Sequence, residues 1–211
     1  MSGPFSGHAL LVNDCQRWRV DPTFDDPAFM SWSADGGMMK PNGTDHTQAV
    51  AERIRDVADQ FRALGVPVFL IYYGFDDEDH TTANGGLHMV EYKPERGDTL
   101  VRKEEMSPFR HSDIDGFSLN TVLKERGLFR PFAAGFHATL CMTEMGLDAL
   151  DEGYEVNFLE DCIGEHDTCP EPVIQNALRE LERQGAKRCT SETALNSLRS
   201  FLFPEPGPVF A

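Results

Sequence analysis

The chain has no apolar run approaching the roughly 20 residues that a bilayer-spanning helix needs. Its start, Met1-Ser2-Gly3-Pro4, lacks both the basic and the apolar segment of a signal peptide. These absences make the cytoplasm the expected location. Basic residues are scarce as well, with 19 Lys and Arg against 35 Asp and Glu and a formal net charge of -16. A field of that sign repels polyanions before contact forms, so neither nucleic acid nor an anionic membrane is expected as a partner, and the acidity reads as solubility. The five cysteines, Cys15, Cys141, Cys162, Cys169 and Cys189, are odd in number and never spaced as CxxC. Neither a disulfide framework nor a zinc ribbon is suggested. Internal repeats and low-complexity tracts are also missing.

What is present is an alternation of short apolar runs and amphipathic stretches. The 211 residues are enough for one α/β domain with a well-buried core. His8 to Val12 and Val66 to Tyr73 read as buried parallel strands. Between them Val50, Ile54, Val57, Phe61 and Leu64 recur at spacings of three and four, after a Thr44-Asp45 cap and before Gly65. The cycle repeats with strands at 99–102, 132–136, 154–159 and 186–190 and helices at 119–126, 142–150 and 172–184. This pattern predicts a single-domain, doubly wound parallel sheet flanked by helices on both faces, in three layers. Two long segments, 17–43 and 74–97, break the rhythm and are expected to be lid or substrate-specificity loops.

Ligands of open α/β sheets bind beyond the carboxyl ends of the strands, so the polar residues there are the first candidates. They are Asp14 after the first strand, Lys103 after the third, and Cys141 just past the fourth, where the next helix begins. A helix amino end and a nearby ammonium both favour thiolate over thiol, which activates a nucleophile. Taken singly, each has a plainer reading: a turn residue, a solvated lysine and a packed core cysteine.

His8 to Gln16, Gly97 to Lys103 with Ser107-Pro108-Phe109, and Gly135 to Thr143 running on to Asp161 together resemble the isochorismatase-like superfamily of cysteine hydrolases, which includes nicotinamidases and N-carbamoylsarcosine amidase. His8 to Gln16 resembles that family's apolar strand ending in Asp-x-Gln. Gly97 to Lys103, with Ser107-Pro108-Phe109, resembles its Gly-Asp…Lys…Ser-x-Phe segment. Gly135 to Thr143, running on to Asp161, is similar to the segment around its nucleophile. The resemblance implies a catalytic triad of Asp14, Lys103 and Cys141 that cleaves a C–N bond of a small amide, ureido or carbamoyl compound through a thioester. It also implies an oxyanion site built on Phe136, His137 and Cys141, with a cis peptide bond at Phe136–His137. A homodimer or homotetramer acting on a small molecule is the expected assembly. The alternatives within the resemblance are a vinyl-ether hydrolase, which needs no cysteine, and a catalytically silent binding protein.

Weaker signals surround the triad. Nicotinamidases hold a metal through an Asp-x-His…His set after the second strand. This chain has Asp76, Asp77, Asp79, His80 and His88 there but not that spacing, which argues against a metal cofactor and against simple nicotinamidase activity. Trp18 and Arg19 are candidates for an apolar wall and a carboxylate-binding guanidinium, or else belong to a surface patch or subunit interface. Tyr72 and Phe109 are candidate pocket residues, with core packing as the plainer role.

Overall fold

A computed structural model describes residues 7–16, 45–74, 94–165 and 169–202. Among these, seven strands form one sheet: β1 (His8–Asn13), β2 (Val68–Tyr73), β3 (Thr99–Lys103), β4 (Ser112–Asp113), β5 (Arg130–Gly135), β6 (Asn157–Ile163) and β7 (Lys187–Cys189). Five helices flank it: α1 (Asp45–Ala63), α2 (Leu119–Glu125), α3 (Cys141–Asp151), α4 (Glu171–Arg183) and α5 (Ser191–Leu202). The sheet order is β4-β3-β2-β1-β5-β6-β7, parallel throughout except for the antiparallel edge strand β4. The expected α/β architecture is therefore present, with a short antiparallel edge that two residues of sequence do not announce.

The continuous apolar runs of the central strands follow from burial on both faces. Leu10 and Val12 of β1 face one side, with Val50, Ile54, Val57 and Phe61 of α1 and Ala194, Leu195 and Leu198 of α5. Ala9 and Leu11 face the other, where α2 contributes Leu119 and Leu123, α3 Met142 and Met145, and α4 Leu178 and Leu181. The apolar stripe of α1 ends at Gly65, whose φ of 78° turns the chain back, so that Val66 N–H reaches the Phe61 carbonyl at 3.0 Å. Arg62 then makes two hydrogen bonds, 2.8 and 2.7 Å, to the Asp98 carboxylate. That pair ties the end of α1 to the approach to β3.

Helix α5 is absent from the elements expected from sequence, although its cap is legible. The Thr190 hydroxyl accepts from Thr193 N–H, and the half-buried Asp161 side chain takes both the N–H and the hydroxyl of Ser191 at 2.7 Å. Strand β6 also runs four residues beyond the expected end at Leu159, because its pairing with β5 shifts register between Ala133 and Gly135. Among the described residues no helix is long and apolar enough to cross a membrane. Most of 17–43 and 74–97 lies outside the described residues.

The sheet reverses direction of growth between β1 and β5, which opens a crevice at the carboxyl ends of those two strands. They approach unusually closely there. Gly135 has a φ of 130°, and a Cβ built on it would lie 2.0 Å from the Asn13 carbonyl oxygen. Replacing Gly135 with Ala is therefore expected to destabilise the fold by about 3 kcal/mol or more, from backbone strain plus overlap with a strand. Urea unfolding of Gly135→Ala checks this; a midpoint like that of wild type would contradict it.

Candidate active site

The chain leaves β1 through Asp14, which takes a left-handed backbone (φ 50°) while its N–H donates to the Ile71 carbonyl at 2.9 Å. This turn directs the carboxylate across the end of β2 toward β3. There the Lys103 ammonium donates to Asp14 Oδ2 at 2.7 Å, with both side chains 0% exposed. Two charges buried this deeply require further hydrogen bonds to offset lost hydration. Lys103 donates a second bond to the Met106 carbonyl at 2.8 Å, and Asn13 Nδ2 donates to Asp14 Oδ2 at 3.0 Å. Asp14 Oδ1 is also buried and has no hydrogen-bond partner among the described residues. One oxygen is thus committed to Lys103 and Asn13, while the other keeps its lone pairs.

The same Asn13 amide reaches over to β5 and donates to the Phe136 carbonyl at 2.8 Å. Phe136 N–H in turn donates to the Asn13 carbonyl at 2.9 Å. From there the chain passes through a cis peptide bond between Phe136 and His137, where the resemblance implies one, and enters α3 at Cys141. Cys141 is the first helical residue, buried, and no side chain caps the helix ahead of it. Its sulfur therefore sits at a helix amino end, the setting that stabilises negative charge.

Residues 8–193 match the isochorismatase domain, most of the chain. The chain belongs to the isochorismatase family. Solved structures of this fold include an isochorismatase-like hydrolase from Alkaliphilus metalliredigens, with a TM-score of 0.71 and 20% identity, covering 92% of this chain and 97% of that one. A cysteine hydrolase from Pseudomonas syringae pv. phaseolicola matches with a TM-score of 0.73 and 19% identity over 94% and 95% of the two chains. N-carbamoylsarcosine amidase from Thermoplasma acidophilum matches at 0.62 and 20%, over 88% and 97%. No curated protein matches by sequence.

In this isochorismatase-family chain the loop between β5 and α3 is held by a residue that the sequence did not single out. Glu165, just past β6, is buried and accepts three hydrogen bonds: from His137 Nδ1 at 2.8 Å, Thr139 N–H at 2.8 Å and the Thr139 hydroxyl at 2.6 Å. Burial by itself raises a carboxyl, but the bonds from His137 and Thr139 outweigh it and bring Glu165 down to about 2. Being ionised, it can only accept, so the proton of the His137 contact resides on Nδ1. The loop's other groups are engaged too: Ala138 N–H donates to Gly164, and the His137 carbonyl accepts from Leu140 and Met142.

Tyr73 is the second residue the sequence did not flag. Successive strand residues face opposite sides, so Tyr73 and Tyr72 diverge. Burial pushes the Tyr73 phenol up, and the fields of Cys141, Asp14, Glu104 and Glu105 push it further. Tyr72 is turned away, with Arg102 and Asp113 as its charged neighbours. Gln16 fixes this strand end from β1, accepting from Tyr73 N–H at 2.9 Å and donating to its carbonyl at 3.3 Å. Phe109 packs on Tyr154 at a ring separation of 5.3 Å, in the core side of the sheet. Trp18, Arg19, Asp76, Asp77, Asp79, His80 and His88 lie outside the described residues. Among those described, no group of three or more His, Cys, Asp or Glu side chains is arranged to hold a metal.

Two expectations follow. Breaking the buried pair by Lys103→Met or Asp14→Asn should each cost about 3–5 kcal/mol, because the remaining member keeps a buried charge or donor without its partner. The double variant should cost clearly less than the sum, and additivity in a double-mutant cycle would refute the coupling. The second concerns acid. Glu165 is depressed from 4.5 to about 2, so it stabilises the fold above about pH 4.5 and loses that contribution as pH falls toward 2. The contribution is roughly 3 kcal/mol at 1.36 kcal/mol per pH unit. Urea unfolding at pH 6 and pH 3 should show a smaller acid loss in Glu165→Gln than in wild type, and equal losses would contradict the assignment.

Proposed function

We propose that this isochorismatase-family hydrolase cleaves the C–N bond of a small amide, ureido or carbamoyl compound by cysteine nucleophilic catalysis. The observation that carries the reading is the division of labour within the Asp14 carboxylate. Oδ2 is occupied by Lys103 and Asn13, and the buried Oδ1 is left for a proton. Solved relatives whose names include a cysteine hydrolase, an N-carbamoylsarcosine amidase and a pyrazinamidase support the bond type.

In this mechanism Asp14 Oδ1 takes the Cys141 thiol proton as sulfur attacks the carbonyl carbon, forming the S–C bond. The tetrahedral oxyanion is held by the backbone N–H groups of His137 and Cys141. Collapse breaks the C–N bond, and Asp14 returns the proton to the departing nitrogen. Water then attacks the thioester with Asp14 again as base, releasing the acid and restoring the thiol. Lys103 keeps its proton throughout, and its charge balances the negative charge that moves between Asp14 and sulfur. Tyr73 forms a wall of the substrate space.

Ammonia release from a panel of small amides and ureido compounds tests the proposal, using wild type and Cys141→Ala with EDTA in a parallel arm. Wild type should turn over at least one member, Cys141→Ala should be slower by about 10⁴-fold or more, and EDTA should leave the rate unchanged. Ammonia release that survives in Cys141→Ala would sink the thioester route, whereas a wild type inert on every amide but active on a vinyl ether would favour a vinyl-ether hydrolase, for which Asp14 alone suffices as acid. No turnover, with iodoacetamide labelling of Cys141 no faster than that of an ordinary thiol, would point to a silent binding protein.

A further inference from the structure

The loop that carries one proposed oxyanion donor, His137, and leads into the other, Cys141, spans residues 136–140 and has no side-chain cap of its own at the start of α3. What it has is Glu165, which arrives from a different strand. The carboxylate reaches the loop at both of its critical places: Oε1 meets the His137 ring, and Oε2 takes the backbone N–H and the hydroxyl of Thr139, two residues ahead of Cys141. Neighbouring backbone is tied to the same strand end. Ala138 N–H donates to the Gly164 carbonyl at 3.0 Å, and Gly164 N–H donates to the Gly135 carbonyl at 2.9 Å. Gly164 also lies so close to Phe136 that a Cβ there would meet the ring at 2.0 Å. The segment Gly164-Glu165 is thus fitted against the whole turn from Gly135 to Thr139.

A packing role alone would not need a charge at this place. An apolar side chain could fill the same volume, yet the residue present is a buried carboxylate that makes three hydrogen bonds to this one loop. Because an ionised carboxylate has no proton to give, it imposes one tautomer on His137 and one direction on the Thr139 N–H. Hydrogen bonds to a charged acceptor are short and directional, which suits a group that must hold backbone donors in line.

We infer that Glu165 is a positioning residue of the active site, which fixes the loop bearing the oxyanion donors by holding His137 in its Nδ1–H form and anchoring Thr139. It does not touch the substrate; it acts through the orientation of the His137 and Cys141 N–H groups. The inference rests on the reading of Cys141 as nucleophile, and it assigns to β6 a share in catalysis.

Glu165→Gln, Glu165→Asp and Thr139→Val in the full chain test it, with folding of each confirmed by circular dichroism at neutral pH. On the amide that wild type hydrolyses, Glu165→Gln should lower kcat by about 10²-fold, the loss typical of a misplaced oxyanion donor, while KM changes less than about threefold. Glu165→Asp, which keeps the charge, should recover part of that loss, and Thr139→Val should lie between. A second readout needs no substrate: ¹⁵N NMR of the His137 ring should show a single Nδ1–H form in wild type and a tautomer mixture in Glu165→Gln. Wild-type kcat in a folded Glu165→Gln, or an unchanged His137 spectrum, would overturn the inference. Failure of the nucleophile reading looks different. There Cys141→Ala would retain activity, while the His137 spectrum would still report whether Glu165 holds the loop.

Discussion

A lysine and an aspartate with no exposure to water constitute the constraint around which this end of the molecule is organised. Neither charge is tolerable there alone, and the pair is tolerable only with further hydrogen bonds. Those bonds come from the turn at Met106 and from Asn13, so the end of β1 and the segment from Lys103 to Met106 must meet before the pair forms. The register of the sheet supplies that meeting. Tyr73 of β2 lies opposite Lys103 of β3, and Asn13 of β1 lies opposite Ile71 of β2 and Gly135 of β5. A slip of one residue in any of these strands would turn Lys103 or Asn13 to the wrong face.

The topology then adds the cysteine. Because the sheet grows in opposite directions from β1 and β5, the helices that follow these strands pack on opposite faces and leave their ends uncovered. Asn13 bridges that gap through one amide, with Asp14 on one side and the Phe136 carbonyl on the other. Asp14 and the helix start that presents the Cys141 sulfur are consequently fixed relative to each other by main chain and one buried side chain. No long, flexible side chain lies between them.

Much of this was legible in the residues because the informative features are local. The alternation of apolar runs and helical stripes announces the sheet, and polar residues directly after apolar runs announce Asp14, Lys103 and Cys141. What escaped were features created by pairing between distant segments. By hydropathy strand β6 ends at Leu159, since Glu160 and Asp161 follow it; the register shift against β5 extends it to Ile163 and carries Glu165 to the turn from Gly135 to Thr139. Tyr72 and Tyr73 are indistinguishable by type, and only the facing of β2 separates the one near Cys141 from its neighbour. Helix α5 is shorter in apolar signal than α1, and its start depends on Asp161, thirty positions earlier in the chain. Strand β4 has two residues and no periodicity to read.

The paired hydrogen bonds between Gln16 and Tyr73 have an evolutionary consequence. Gln16 directly precedes the 17–43 segment in the sequence and Tyr73 directly precedes the 74–97 segment, so this clamp stands at the root of both. It closes the scaffold at the point where each segment departs. Insertions, deletions and exchanges beyond those points can accumulate without altering the spacing of Asp14, Lys103 and Cys141. A chain built this way can vary along those segments while Asp14, Lys103 and Cys141 stay in place, and one architecture can thereby be carried through many sequences.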